Sequence, residues 1–114
     1  IDIITSDNFA RVFTVTFIPQ RTLPHGFTFD VDGSNMNRPY VSDVAPRSLG
    51  RTHRSWRKDF VGAYVTHVND ILLYTVADIT SALDDAISSD SEFSMTFSQD
   101  IHNPLPKSDL SWQA

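Results

Sequence analysis

Residues 11–18, RVFTVTFI, alternate Phe13, Val15 and Phe17 against Thr14 and Thr16, a period of two that marks a strand with one buried face. Near the other end of the chain, Phe93, Met95 and Phe97 alternate with Ser94, Thr96 and Ser98 in the same way. Both strands therefore present a Phe-rich face and a hydroxyl face, which suits antiparallel neighbours in a small barrel or sandwich capped by a helix.

Between them the sequence supplies further elements. Pro19 stops the first strand. After LPHG, the run Phe27, Phe29, Val31 against Thr28, Asp30, Asp32 predicts a second strand ending at Gly33, and GSNMN is a turn. PYVSDV (39–44) reads as a third strand. Ser48 to Phe60 has no clean period and reads as a loop with at most one helical turn. GAYVTHV (62–68) predicts a strand with Tyr64, Thr66 and Val68 on one side and Ala63, Val65 and His67 on the other. Asn69-Asp70 is turn chemistry before a very short strand at 71–73. Thr75 with Asp78 forms a capping box, and Val76, Ile79, Ala82, Leu83, Ala86 and Ile87 follow at helical spacing, so a helix over 76–87 is expected.

A chain of 114 residues buries enough surface for one core and not for two, and 40% hydrophobic residues, with eight Phe, argue against disorder. The fold class expected is α+β and mostly β: a partly open barrel or sandwich of five to six strands with one main helix. Residues 1–10 read as an extension, 11–98 as the domain and 99–114, with two prolines, as a tail or linker. Starting at Ile1 without an initiator Met, the sequence reads as a piece of a longer polypeptide. No stretch has the roughly 18 apolar residues of a membrane span, and an intracellular location, cytoplasmic or nuclear, is the expectation.

Enzymatic and metal chemistry find no pattern. The absence of cysteine removes thiolate nucleophiles and Cys-ligated zinc. His25, His53, His67 and His102 show no metal-ligand spacing, no Gly-x-Ser-x-Gly elbow is present, and no Gly-rich phosphate loop occurs. No enzyme activity and no cofactor are expected. The formal net charge of −5 hides an uneven distribution: Arg47, Arg51, Arg54, Arg57 and Lys58 surround Trp56, while Asp78 to Glu92 holds acids and no base. Such a basic patch with an aromatic could contact phosphates and stack on a base, which leaves weak nucleic-acid contact as an alternative reading.

Three stretches in order, LPHGF (23–27), VGAYVTHVNDILL (61–73) and TVADITSAL (75–83), resemble a PDZ domain. The first stands in place of that family's Gly-Leu-Gly-Phe loop, the second is similar to its Gly-Asp-x-Ile-Leu-x-Val-Asn-Gly stretch, and the third to the start of its second helix. The segment RSWRKDFVGAYVTHVNDILLYTVADI also resembles PDZ-like segments embedded in retrotransposon polyproteins.

The resemblance implies a non-catalytic interaction module that binds a peptide C-terminus or an internal strand by strand addition between residues 27–32 and 76–87. It implies a carboxylate nest from the backbone N–H groups of His25, Gly26 and Phe27, with Arg21 placed to assist. Phe27, Phe29 and Leu83 would line the pocket for the terminal side chain, with Val31, Val76 and Thr80 along the groove. Val76 stands where many PDZ domains carry a His that selects Ser or Thr, so a hydrophobic residue is expected two positions before the terminus. The implied partner is a peptide or protein C-terminus with a hydrophobic end. His25 replaces an apolar residue of the family loop, and the rival expectation is a structural or degenerate PDZ-fold spacer whose groove is filled by its own side chains or tail. SDLSWQA at the C-terminus could occupy a neighbour's groove.

Overall fold

The computed structural model describes residues 10–100. The expected N-terminal extension up to residue 9, the tail from 101 with its SDLSWQA ending, and His102 lie outside the described residues. The elements in order are β1 (Ala10–Phe17), β2 (Phe27–Asp32), β3 (Arg38–Val44), α1 (Leu49–Thr52), α2 (Trp56–Asp59), β4 (Tyr64–Val68), β5 (Ile71–Leu72), α3 (Val76–Ser88) and β6 (Phe93–Asp100). The strands form one antiparallel sheet in the order β1-β6-β4-β3-β2, with β5 paired to β4. Among the described residues it is not closed, so β1 and β2 are its edges.

The two Phe-rich strands are neighbours, with Phe13 opposite Phe97 and Phe17 opposite Phe93. Their rings stack at 5.4 Å in both pairs. Phe27 and Phe60 join them, Phe60 lying 4.6 Å from Phe97 and 5.4 Å from Phe27. Each aromatic ring so buried contributes roughly 1.5–3 kcal/mol of hydrophobic stabilisation. The core of one domain is thus an aromatic cluster lined by Val41, Val44, Val65 and Val68 and closed by Ile79, Leu83 and Ala86 of α3.

Two bulges set which side chains reach that core. On β3 the register passes from Thr28↔Asp43 to Phe29↔Val41, leaving Ser42 as the extra residue, so Val41 and Val44 are both fully buried although three apart. On β4 it passes from Val65↔Phe97 to His67↔Thr96, leaving Thr66 extra. The strict alternation expected over 63–68 is therefore corrected: Val65 and Val68 share the core face, because the extra residue resets the parity of everything after it. Tyr64 is buried on the other face, its hydroxyl donating to Asp32 Oδ2 at 2.7 Å and its ring covered by Arg38 at 3.8 Å.

Residues 48–60, expected as a loop with one turn at most, contain two single helical turns, α1 and α2. Leu49 and Phe60 bury themselves from these turns. Asp59 anchors the segment: His53 Nε2 lies 2.8 Å and Arg11 Nη1 3.2 Å from its carboxylate, while Gln99 donates to the carbonyls of Lys58 and Asp59. Burial by itself would raise the Asp59 carboxyl, but hydrogen bonds from His53 and Arg11, with their charges, outweigh it and hold the group below the ordinary carboxylate range. The helix α3 starts as its capping box dictates, Asp78 N donating to Thr75 Oγ1 at 3.1 Å.

Candidate functional site

The edge of β2 faces the chain's one long described helix, and backbone hydrogen bonding defines what that edge offers. Val41 exchanges both its backbone bonds with the β4 side, to Ala63 O and from Gly62 N, so its neighbour Tyr40 points at β2 and pairs with Asp30. Ala45 N donates to Gly26 O at the other end of the strand. Even-numbered residues of β2 thus spend their polar backbone groups on β3, and Phe27, Phe29 and Val31 turn theirs outward.

Two of those three outward donors are occupied by the chain's own side chains. Phe27 N donates to His25 Nδ1 at 3.0 Å, and Val31 N donates to Asp30 Oδ1 at 2.8 Å. The imidazole lies nearly parallel to the Phe27 ring, 6.1 Å between centroids, and only 15% of it is exposed. Its Nε2 stands 3.6 Å from Asp84 Oδ1 on α3. Burial is the larger influence on this group and lowers its pKa below the usual imidazole value, with Asp84 opposing. The neutral ring is the form that can accept at Nδ1 and point its Nε2 proton at Asp84.

The loop before β2 is tied down by three backbone bonds to the next segment: Ala45 N to Gly26 O, Leu49 N to Pro24 O and Gly50 N to His25 O, at 2.8–3.1 Å. Gly26 has φ +84, and a Cβ there would overlap Ser48, whose hydroxyl donates to Ala45 O at 2.6 Å. Glycine is required at this position by both conformation and space.

The residues expected to form the groove are distributed unequally. Phe27 and Leu83 belong to the closed core, at 5% and 0% exposure. Phe29, Val76 and Thr80 are half-buried and Val31 is exposed. Val76, Thr80 and Asp84, four residues apart, form one stripe along α3. Asp84 and Asp30 were absent from the sequence-based set; the spacing from Thr80 was the available signal for the first, and nothing local announced the second. Arg21 is exposed, and no described contact brings it to residues 25–27.

In the basic segment, Arg51 and Arg57 lie over the Trp56 ring at 3.8 and 4.8 Å, and Arg51 Nε also donates to Val44 O. A stacking base would have to displace a guanidinium. Arg47, Arg54 and Lys58 are exposed. A separate apolar concavity of about 300 Å³ lies below the β2–β3 turn, between Met36, Arg38, Val65, Leu72 and Tyr74. The only local sequence signal for it was the apolar run 71–74, whose Ile71, Leu72 and Tyr74 stay exposed.

No family model matches the sequence, and no curated protein matches it. Solved structures do. The second PDZ domain of Dlg1 from the choanoflagellate Monosiga brevicollis superposes with a TM-score of 0.61 at 17% identity, covering 76% of this chain and 97% of that one. The PDZ domain of choanoflagellate SHANK1 bound to a GIRK3 peptide gives a TM-score of 0.57 at 9% identity, covering 82% and 98%. The fold is that of a PDZ domain. Within it, β2 and α3 are the strand and helix that the sequence resemblance assigned to a groove, and the LPHGF loop joins β1 to β2. These likenesses bear on the PDZ fold and carry nothing about retroelement polyproteins. Among the described residues, no helix is long and apolar enough to cross a membrane.

Proposed function

We propose that this PDZ-like domain is a peptide-interaction module that takes an extended segment as an added strand on the edge of β2, beside α3. The observation that carries the reading is the outward backbone of Phe27, Phe29 and Val31 on an open sheet edge with the Val76, Thr80, Asp84 stripe alongside. That a choanoflagellate protein of the same fold was solved with a peptide supports it. Backbone pairing supplies affinity, and the half-buried Phe29 and Val76 favour apolar ligand side chains. Val76 has no hydrogen-bonding group, so a hydrophobic residue is preferred beside it over Ser or Thr. The partner is a peptide or protein segment, whether a hydrophobic-ended C-terminus or an internal strand.

The capped donors at Phe27 and Val31 favour a second reading, a structural spacer whose edge is closed by its own side chains. Titration with hydrophobic-ended and internal peptides, followed by amide chemical shifts, separates the two. Saturable shifts at residues 25–31 and 76–84 are expected for the interaction module. Silence at those amides across both peptide types rejects it in favour of the spacer.

A further inference from the structure

We infer that the ligand of the β2–α3 groove is an internal extended segment bearing Lys or Arg, and that His25 is the residue that excludes a free C-terminal carboxylate. The inference rests on the strand-addition reading and narrows it to one partner chemistry.

Exclusion follows from occupancy. A terminal carboxylate held at this loop needs the N–H groups of residues 25–27, and the Phe27 N–H is directed at His25 Nδ1, 3.0 Å away. A single N–H presents one hydrogen, so a carboxylate oxygen cannot take that position while the imidazole nitrogen holds it. The ring is not a loose side chain that swings aside freely. It is largely covered, lies against Phe27, and projects from a loop whose carbonyls at 24, 25 and 26 are bonded to residues 45–50.

Charge points the same way. The two walls of the groove, β2 (FTFDVD) and α3 (VADITSALDDAIS), contain Asp30, Asp32, Asp78, Asp84 and Asp85 and no Lys or Arg. Asp32 is engaged by Ser34 and Tyr64 and faces Arg38, so it is partly offset. Asp30 and Asp84 are exposed and stand at the two ends of the free edge. Asp84 sits beside His25, where a terminal carboxylate would arrive, and the arriving anion is repelled. A cation at the same place is attracted. Arg21, the cation nearest to this loop in sequence, and Arg47, in the segment bonded to it, are exposed, and no described contact brings either to residues 25–27.

What the edge retains suits a strand that runs past the loop without ending there. Among the described residues, Phe29 keeps both outward backbone groups, and Phe27 and Val31 keep their outward carbonyls, which accept the N–H groups of an internal segment. A Lys or Arg near Asp30 draws that carboxylate from the Val31 N–H and returns a second donor, after that of Phe29, to the ladder. Electrostatic complementarity of this kind selects partners and register more than it adds affinity.

The test uses the full 114-residue chain at about pH 8, where the imidazole is neutral. Three synthetic peptides of about nine residues share apolar groups at alternate positions. The first has Lys at the intervening positions with acetylated and amidated ends. The second has Glu in place of Lys. The third is the Lys peptide with a free C-terminal Val. Affinities come from amide shifts at residues 25–31 and 76–84.

The capped Lys peptide is expected to bind at least about tenfold tighter than the Glu peptide, and the free carboxylate to gain less than about twofold over the amide. Asp30→Asn with Asp84→Asn should bring the Lys and Glu peptides to within about threefold of each other. His25→Leu, which keeps apolar volume and removes the acceptor, should raise affinity for the free-carboxylate peptide about tenfold over its amide. His25→Ala provides the same comparison if Leu disturbs the loop. A wild-type preference for the free carboxylate, or equal binding of Lys and Glu peptides, overturns this inference and leaves the groove reading standing. No shift with any peptide, in wild type or in His25→Leu, overturns the groove reading and this inference with it.

Discussion

Replacing Gly26 by Ala is the most direct probe of how the loop before β2 is built. The residue has φ +84, which costs an L-amino acid about 1–2 kcal/mol through the contact of its Cβ with the backbone. The added methyl also overlaps Cβ and Oγ of Ser48. Ser48 is 1% exposed, its hydroxyl is bonded to Ala45 O, and the next two residues donate to the carbonyls of Pro24 and His25, so it has nowhere to retreat. Overpacking of that kind costs about 1–3 kcal/mol. The two contributions sum to about 2–5 kcal/mol, or on the order of 10 °C or more in Tm for a domain of this size.

Urea denaturation monitored by circular dichroism measures the loss, with an unchanged m-value showing that stability changed and the surface exposed on unfolding did not. A double-mutant cycle then divides it. Ser48→Gly in the Gly26→Ala background removes the overlap and should return the overpacking share while the backbone share remains. Ser48→Ala should return little, because the Ser48 Cβ itself is in the way. Gly26→Ala within about 0.5 kcal/mol of wild type would refute the reasoning, and so would complete recovery on adding Ser48→Gly.

Leu83, with no exposed surface, should lose about 2–5 kcal/mol on truncation to Ala, read from the urea midpoint; a loss below about 1 kcal/mol would place it at the groove and not in the core. Leu83→Lys should leave the domain unfolded near neutral pH, since it buries an unpaired charge, so it is unsuited to blocking the groove in a folded domain. Asp59→Asn should cost about 1–3 kcal/mol near neutral pH, towards the low end because Arg11 is half-exposed. The Asp59 carboxyl is held below its ordinary value, so its contribution is complete above about pH 3.8 and is lost as pH falls through the folded-state value. The gap between wild type and Asp59→Asn should therefore close in acid, and a gap that stays constant down to about pH 2 would contradict the assignment.

Much of the fold was legible because its signals are local. The Phe/Thr alternation of residues 11–18 and 93–98 specified strands whose apolar faces had to meet, and they pair from Phe13↔Phe97 to Phe17↔Phe93. The Thr75 capping box and the spacing of Ile79, Leu83 and Ala86 specified where α3 starts and which stripe it buries. Residues 48–60 were less legible, because their two short turns are held by partners far away in sequence: Asp59 by Arg11, and the carbonyls of Lys58 and Asp59 by Gln99.

The site divides along the same line. By itself the sequence determined that a turn with Pro24 and Gly26 leads into an alternating strand, and that a capped helix follows two short strands later; periodicity, capping and turn chemistry act over a few residues and need no fold to be read. Only the tertiary structure decided that Phe27 and Leu83 close the core, that bulges at Ser42 and Thr66 reset which residues face it, and that the His25 ring folds onto the Phe27 N–H beside Asp84. Those outcomes depend on register between strands and on the approach of a helix some sixty residues away in sequence, where one extra residue reverses every side chain beyond it.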